Sequence, residues 1–519
     1  MVQVNKIDSN ITGLAYAEEA ELGLLIGETR RDGTVVPGST GDIAWTRLGP
    51  NSYNDFGGEL VTVAPNPINP SRQRQKGIVT DLNAAGGFNH DVTFYNLQDL
   101  LQGVMFADIR RKERDTVTSV SGASYTVSGT GTDFNVGDIV FGVGFSNSQN
   151  NGASVVTASG ASTVSVSGLT SEASPPAGAE IIRVGVQGAA GDLDVDISGD
   201  FATITSTSLD FTTLELVPGQ WIYVGGDAAG EQFSNTANNG FKRIRSISAN
   251  ALVLDKSVLT MVTEASTTET VQIFFGDVLK NELGTLIKRR SYNLERLLGA
   301  PDDSAPAALQ SEVIAGAVAN EFTLNVPTAN LVNSDFTFVA TDNQQRAATS
   351  ATPAGPGPKQ TALGSISDPI VADVWNTSSD FSRLKMSVVS DTDEAPTALF
   401  AFITEATITI NNNVSPNKAV SVLGSFDVTA GTFQVSGSVT AYFSNINAVQ
   451  AVRNNSDVTI DMAIVKDNQG YVLDLPLIAL GDGRLNVEQD QPITLPLSMD
   501  AATAASISSD FDYTAMFTF

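Results

Sequence analysis

The two longest runs of strict alternation in the chain, Phe402–Asn411 and Thr432–Tyr442, set its fold class. Successive side chains of a strand point to opposite faces, so apolar–polar alternation over nine or more residues reads as a half-buried strand. Ala430-Gly431 stands between Gly424–Thr429 and Thr432–Tyr442 as an expected hairpin turn. Val458–Ile464 and Tyr471–Pro476 pair across Asn468–Gly470, with Pro476 expected at an edge or a strand end because it has no N–H to donate. Further strands are expected at Gly41–Pro50, Gly58–Ala64, Thr285–Arg296, Val318–Val326 and Ser334–Ala340. Thr80–Phe88 reads as a glycine-rich turn and Gln344–Lys359 as a long loop. Leu97, Leu100, Leu101, Val104 and Met105 recur at helical spacing behind Asn96, which predicts a capped helix over Asn96–Phe106. A shorter helix is expected at Ile446–Val452. The chain is mainly β.

Composition narrows the class further. At 519 residues the chain is too long for one ordinary core. It has no cysteine, which excludes disulfides, thiolate metal sites and cysteine nucleophiles. No apolar run is long enough to span a membrane as a helix, and Met1–Asn10 has neither the basic nor the apolar part of a secretory signal. The net charge of −28 opposes stable binding to nucleic acid, whose affinity for protein depends on Lys and Arg neutralising phosphates.

Between about Asp115 and Asp277 one small β unit occurs twice. Phe134–Phe141 followed by Asn150-Asn151-Gly152 matches Leu216–Tyr223 followed by Asn238-Asn239-Gly240. Each copy is a turn, a strand, an Asn-Gly turn where positive φ is tolerated, and further short strands. The expected domains are a discontinuous core, 1–115 and 278–519, and two inserted β-barrel-like modules, 116–188 and 189–277.

The flanks of this insertion resemble the major tail tube protein of long-tailed, siphovirus-like bacteriophages. The resemblance rests on Asp81–Asn89 leading into Asn96–Gly103, on Arg290–Arg296, and most of all on Thr409–Lys418, Phe426–Phe433 and Gly481–Pro492. It implies a tail-tube β-sandwich or barrel with a flanking helix, assembled as hexameric rings that stack into a hollow tube in the virion tail. The implied partners are further copies of the chain, a tape-measure protein, tail terminator and tail-tip proteins, and double-stranded DNA as transient cargo, with assembly in the host cytoplasm. Long alternating strands suit such a polymer, because an exposed strand edge invites pairing with another chain. The insertion is expected on the outer surface and dispensable for ring formation.

Phe402, Thr404, Thr407, Thr409, Phe433, Val435 and Val439 are the candidates for an intersubunit barrel, and Glu405 and Asp427 for the channel lining. Arg72, Arg74, Arg110, Arg111, Arg289 and Arg290 are candidates for interface salt bridges. No catalytic, cofactor or metal site is expected. His90 is the only histidine and lacks a nucleophile motif, and Asp192–Asp200 fails the EF-hand spacing at its sixth and twelfth positions. The rival readings are a β-repeat adhesin, which calls for a secretion signal or anchor, and a glycan-active enzyme, which calls for paired carboxylates in a cleft.

Overall fold

The computed structural model describes residues 12–29, 34–37, 43–68, 73–299, 309–348, 358–360, 365–367, 373–390, 392–466, 468–503 and 513–519. Twelve strands carry its core: β1 (Gly13–Glu18), β2 (Ser52–Val63), β3 (Ile78–Asp91), β4 (Tyr292–Gly299), β5 (Leu309–Val326) and β6 (Asn333–Ala340), then β7 (Phe381–Val388), β8 (Ile403–Asn411), β9 (Gln434–Tyr442), β10 (Val458–Lys466), β11 (Gln469–Asp482) and β12 (Thr494–Ala502). Helices α1 (Phe94–Met105) and α2 (Asn447–Arg453) follow β3 and β9. Eight strands form one antiparallel sheet in the order β2–β3–β6–β5–β8–β9–β12–β11. A second layer packs behind it: β1 and β4 continue from the first half of β5, and β7 and β10 from the first half of β11. One hydrophobic core, with Phe88, Phe322, Ile408 and Val435 from the first layer and Leu294 and Met462 from the second, joins the layers.

β5 and β11 each serve both layers, and each changes layer at a residue suited to it. Gly316 in β5 has φ +66, and a Cβ there would collide with Thr341. Pro476 lies inside β11, where the register with β10 shifts between Val458 and Ile460. The expected edge position is thus corrected to a bulge, the other site where a strand tolerates a missing donor.

Five further expectations change. Gln344–Ala348, expected within a loop, belongs to a strand, Asp342–Ala348, and of the expected strand Thr285–Arg296 only Tyr292–Arg296 is strand. Thr80–Phe88 is the middle of β3, and its glycines serve close packing: a Cβ on Gly87 would lie 2.9 Å from the carbonyl oxygens of both Asn54 and Phe336 on the flanking strands. Ala430-Gly431 is a kink in one long hairpin, because β8 pairs with β9 while Ser415–Lys418 pairs with Ser425–Thr429 nearer the tip. α1 buries its five predicted apolar residues, but Thr93 is its N-cap. Asn96 sits one turn in, accepting from the Thr93 N–H at 3.0 Å and donating to the Asp91 carbonyl at 2.9 Å.

The segment from Arg114 to Phe274 builds a separate sheet over two hydrophobic cores, one around Tyr125, Phe134 and Ile181 and one around Phe211, Phe233 and Leu254. The repeated turn is built alike in both. Asn151 Oδ1 accepts the Phe145 N–H at 3.0 Å, as Asn239 Oδ1 accepts that of Phe233 at 3.0 Å. The buried Asn150 and Asn238 donate to Glu172 at 3.0 Å and Glu264 at 2.7 Å. Strand Glu180–Gln187 pairs with both units, so the two cores share one sheet.

The second unit is clamped to the core by buried charge. Arg243 meets Asp255 at 2.7 Å and Asp474 of β11 at 2.9 Å, and Lys256 meets Asp474 at 2.7 Å. The Tyr513 hydroxyl donates to Asp474 at 2.8 Å. Buried Trp221 lies between the cations of Lys256 and Arg383, 5.8 and 5.1 Å from its ring centre. Burial alone would raise the Asp474 pKa, but Arg243 and Lys256 outweigh it and hold the carboxyl at about 2. Removal of both units would therefore strip Asp474, Ala463 and Val472 of their cover, so the insertion is not a detachable ornament.

Asp474→Asn leaves Arg243 and Lys256 buried with less negative charge, and a loss of about 3–5 kcal/mol is expected by urea unfolding. Because the folded pKa lies below the unfolded value, Asp474 stabilises fully above about pH 4, and this is lost as pH falls toward 2. Melting curves across that window should steepen for the parent protein and flatten for the variant. Gly87→Val should cost about 1–3 kcal/mol by forcing β3 away from β2 and β6.

Candidate channel wall and ring edges

The face of the eight-stranded sheet that turns away from the core carries small polar and acidic side chains. One rung runs across all eight strands in register: Ser52, Asn89, Asp335, Thr323, Thr409, Ser436, Asp500, Ala479. The adjoining rungs add Asn333, Asn325, Thr407, Ser438 and Ser498 on one side, and Thr337, Glu321, Asn411 and Gln434 on the other. No Lys or Arg occupies these rungs. Their side chains are laced together: Asn89 Nδ2 donates to Asn333 at 3.1 Å and Asp335 at 2.9 Å, Asn325 Nδ2 to Asp335 at 2.8 Å, and the Thr323 and Thr409 hydroxyls meet at 3.0 Å. Such a surface is held in register by its own hydrogen bonds, and these rungs present no fixed cation to a passing anion.

The sheet ends at β2 and at the second half of β11. Among the described residues β2 pairs as a strand only with β3, and beyond Ile478 β11 pairs only with β12. These are the unpaired edges. β8 and β9 are bonded on both sides within the chain, so they can line a wall but cannot form the seam with a neighbour. β2 and β3 run on past the sheet as an arm that leaves Leu60, Val61, Val63, Ile78 and Val79 exposed.

Of the barrel candidates, Thr407 and Thr409 stand on the polar face, and Thr404 donates to the Thr440 carbonyl at 2.9 Å. Val435 and Val439 point the other way, into the chain's own core, and Phe433 packs against that core. Phe402 is exposed at the end of β8. Glu405 lies opposite Thr440 on the exposed side, whereas Asp427 sits on the long hairpin and pairs with Arg289 at 3.4 Å. The candidate interface arginines are mostly engaged within the chain: Arg110 with Glu282 at 2.6 Å, Arg111 with Asp277 at 3.9 Å, Arg290 with Asp108 and with Glu18 at 3.2 Å. Arg74 is exposed, and Arg72 lies outside the described residues.

His90 is partly buried, which lowers its pKa, and its Nδ1 faces Asn96 Nδ2 at 3.0 Å. Asp192 is buried ahead of a short strand, Asp194–Asp196. Burial would raise its pKa, but it is held at about 2 by hydrogen bonds from Ser206, Thr207 and Ser208. The clamp around Asp474 escaped the sequence reading. Its signal was present in Asp461 and Asp474, acids flanked on both sides by apolar residues in their strands.

Among curated proteins none matches the chain closely enough to count as a relative. The family model described as phage tail tube protein matches residues 171–501, which takes in the second β unit and most of the core. The chain belongs to the phage tail tube protein family, a structural component of the virion tail that assembles with itself into a tube.

Proposed function

We propose that this chain forms the tube of a long, siphovirus-like tail by stacking rings with a sixfold wall, and that the tube conducts double-stranded DNA. The three polar rungs, which carry no cation, support this reading, because they have the chemistry that a DNA channel needs. A lysine on the wall would meet each passing phosphate with a charge-assisted hydrogen bond, and several at once would hold the duplex back. Acidic and small neutral residues repel or ignore it. The screening length of about 8 Å confines the repulsion to DNA near the wall, which keeps the duplex centred. The open edges of β2 and β11 supply the lateral contacts, and the exposed apolar arm supplies surface for stacking. The β units 116–188 and 189–277 stand on the outer surface as insertions in the tube domain. During assembly in the host cytoplasm the tube encloses a tape-measure protein and is closed by terminator and tail-tip proteins.

Negative-stain images of the purified protein should show filaments with a central hole, and monodisperse monomers at high concentration would overturn the reading. Thr409→Lys with Ser436→Lys places two cations on one rung. Tubes should still form, and phage carrying the pair should eject DNA several-fold more slowly, with the delay shrinking as salt rises. Equal ejection rates would remove the wall from the mechanism.

A further inference from the structure

The twelve core strands are one six-stranded plan executed twice. β1 to β6 and β7 to β12 follow the same course: an outer strand (β1, β7), a long hairpin (β2–β3, β8–β9), and a helix (α1, α2). Then comes an outer strand (β4, β10) hydrogen-bonded to the first half of a layer-changing strand (β5, β11), and last the partner of its second half (β6, β12). The first outer strand pairs antiparallel with the second in both halves, Gly13 opposite Leu297 and Phe381 opposite Ile464. The wall order is β2–β3–β6–β5 in one half and β8–β9–β12–β11 in the other. The long segment from Arg114 to Phe274 falls between helix and outer strand in the first half only.

We infer that each chain supplies two of the ring's six wall units, so that three chains close a ring with pseudo-sixfold symmetry. This rests on the tube reading above and replaces the hexamer that the family resemblance implied. The junction between the units already exists inside the chain, where β5 pairs with β8, Asn325 opposite Thr407. The matching junction between chains joins β11 of one copy to β2 of the next, the two edges left open. Superposing the halves by register identifies the contact. Asn325 pairs with Asn333 as Asn486 bridges Thr494, and Thr407 pairs with Ser438 as Asn54 pairs with Gly87. Asn486 therefore faces Asn54 of the neighbouring copy, and both are exposed in the single chain.

Size favours three. Eight strands from each of three chains make a barrel of twenty-four. With strands about 4.8 Å apart and tilted by about 45°, it measures roughly 50 Å across the backbone, and inward side chains leave room for one duplex. Six chains would give a barrel roughly 100 Å wide, which would not centre a duplex.

The chain has no cysteine, so Asn54→Cys with Asn486→Cys is a clean probe of the seam in the full chain. Oxidised tubes should yield covalent species of one, two and three chains on a denaturing gel and none larger. Averaged end-on views of unmodified tubes should show three outer lobes per ring, because only one wall unit per chain bears the inserted segment. A series that continues to six, or six lobes per ring, overturns the three-chain ring and leaves the tube intact. Uncross-linked tubes with three lobes would refute the Asn54–Asn486 seam alone, and failure of the unmodified protein to form tubes would refute the functional reading instead.

Discussion

A sheet that stops leaves a row of unpaired N–H and C=O groups at each end, and among the described residues the core of this protein has two such ends, at β2 and at the second half of β11. Leaving them open is costly in a soluble monomer because exposed edges pair indiscriminately. β2 has neither proline nor lysine; two register shifts and the acids Asp55 and Glu59 blunt it only in part, and Leu60, Val61 and Val63 leave its outer end exposed and apolar. An edge so exposed is a joint, and a closed ring is the arrangement that satisfies every copy at once. The internal pairing of β5 with β8 shows that the chain can make this joint, since it uses the same antiparallel geometry between its own halves.

The two faces of the sheet divide the labour. Alternation sends Phe88, Phe336, Phe322 and Ile408 into the core and leaves Asn, Thr, Ser and Asp outside, so the apolar core and the polar face are written on alternate residues of the same strands. The hydrogen bonds among Asn89, Asn333, Asn325 and Asp335 make the outer face more than a solvated surface. They cross strands that also pair through the backbone, so the wall resists local distortion where a moving polymer would push on it.

Most core strands, both helices and the repeated β units were legible in the sequence because each follows from local period or turn chemistry, whereas β3, β7 and β12 were not read as strands. Residues 402–411 and 458–464 could hardly be anything but strand. Glycine misled at Thr80–Phe88, where the reason for Gly87 is a neighbouring strand that only the fold brings near. Proline misled at Pro476 for the same reason. Glu405, a candidate for the channel lining, is exposed opposite Thr440. Val435 and Val439 were assigned to a shared barrel because alternation identifies two faces without saying which one is buried. The doubling of the core left no trace in the sequence reading. It survives only as topology and register, because a strand accepts many sequences as long as its period holds.

Doubling also accounts for an asymmetry that a ring of identical units could not have. In a true hexamer every wall unit would carry the inserted sheet, and six copies would crowd the same circumference. With two units per chain, one has room for an insertion of more than a hundred residues after its helix, while the other closes directly from α2 to β10. Asp474, to which the insertion is clamped, belongs to β11 of the second half, although the insertion leaves the chain in the first. The decoration therefore bridges both wall units of its own chain. In the proposed ring, that clamp would tie the two wall units of one chain to a common support.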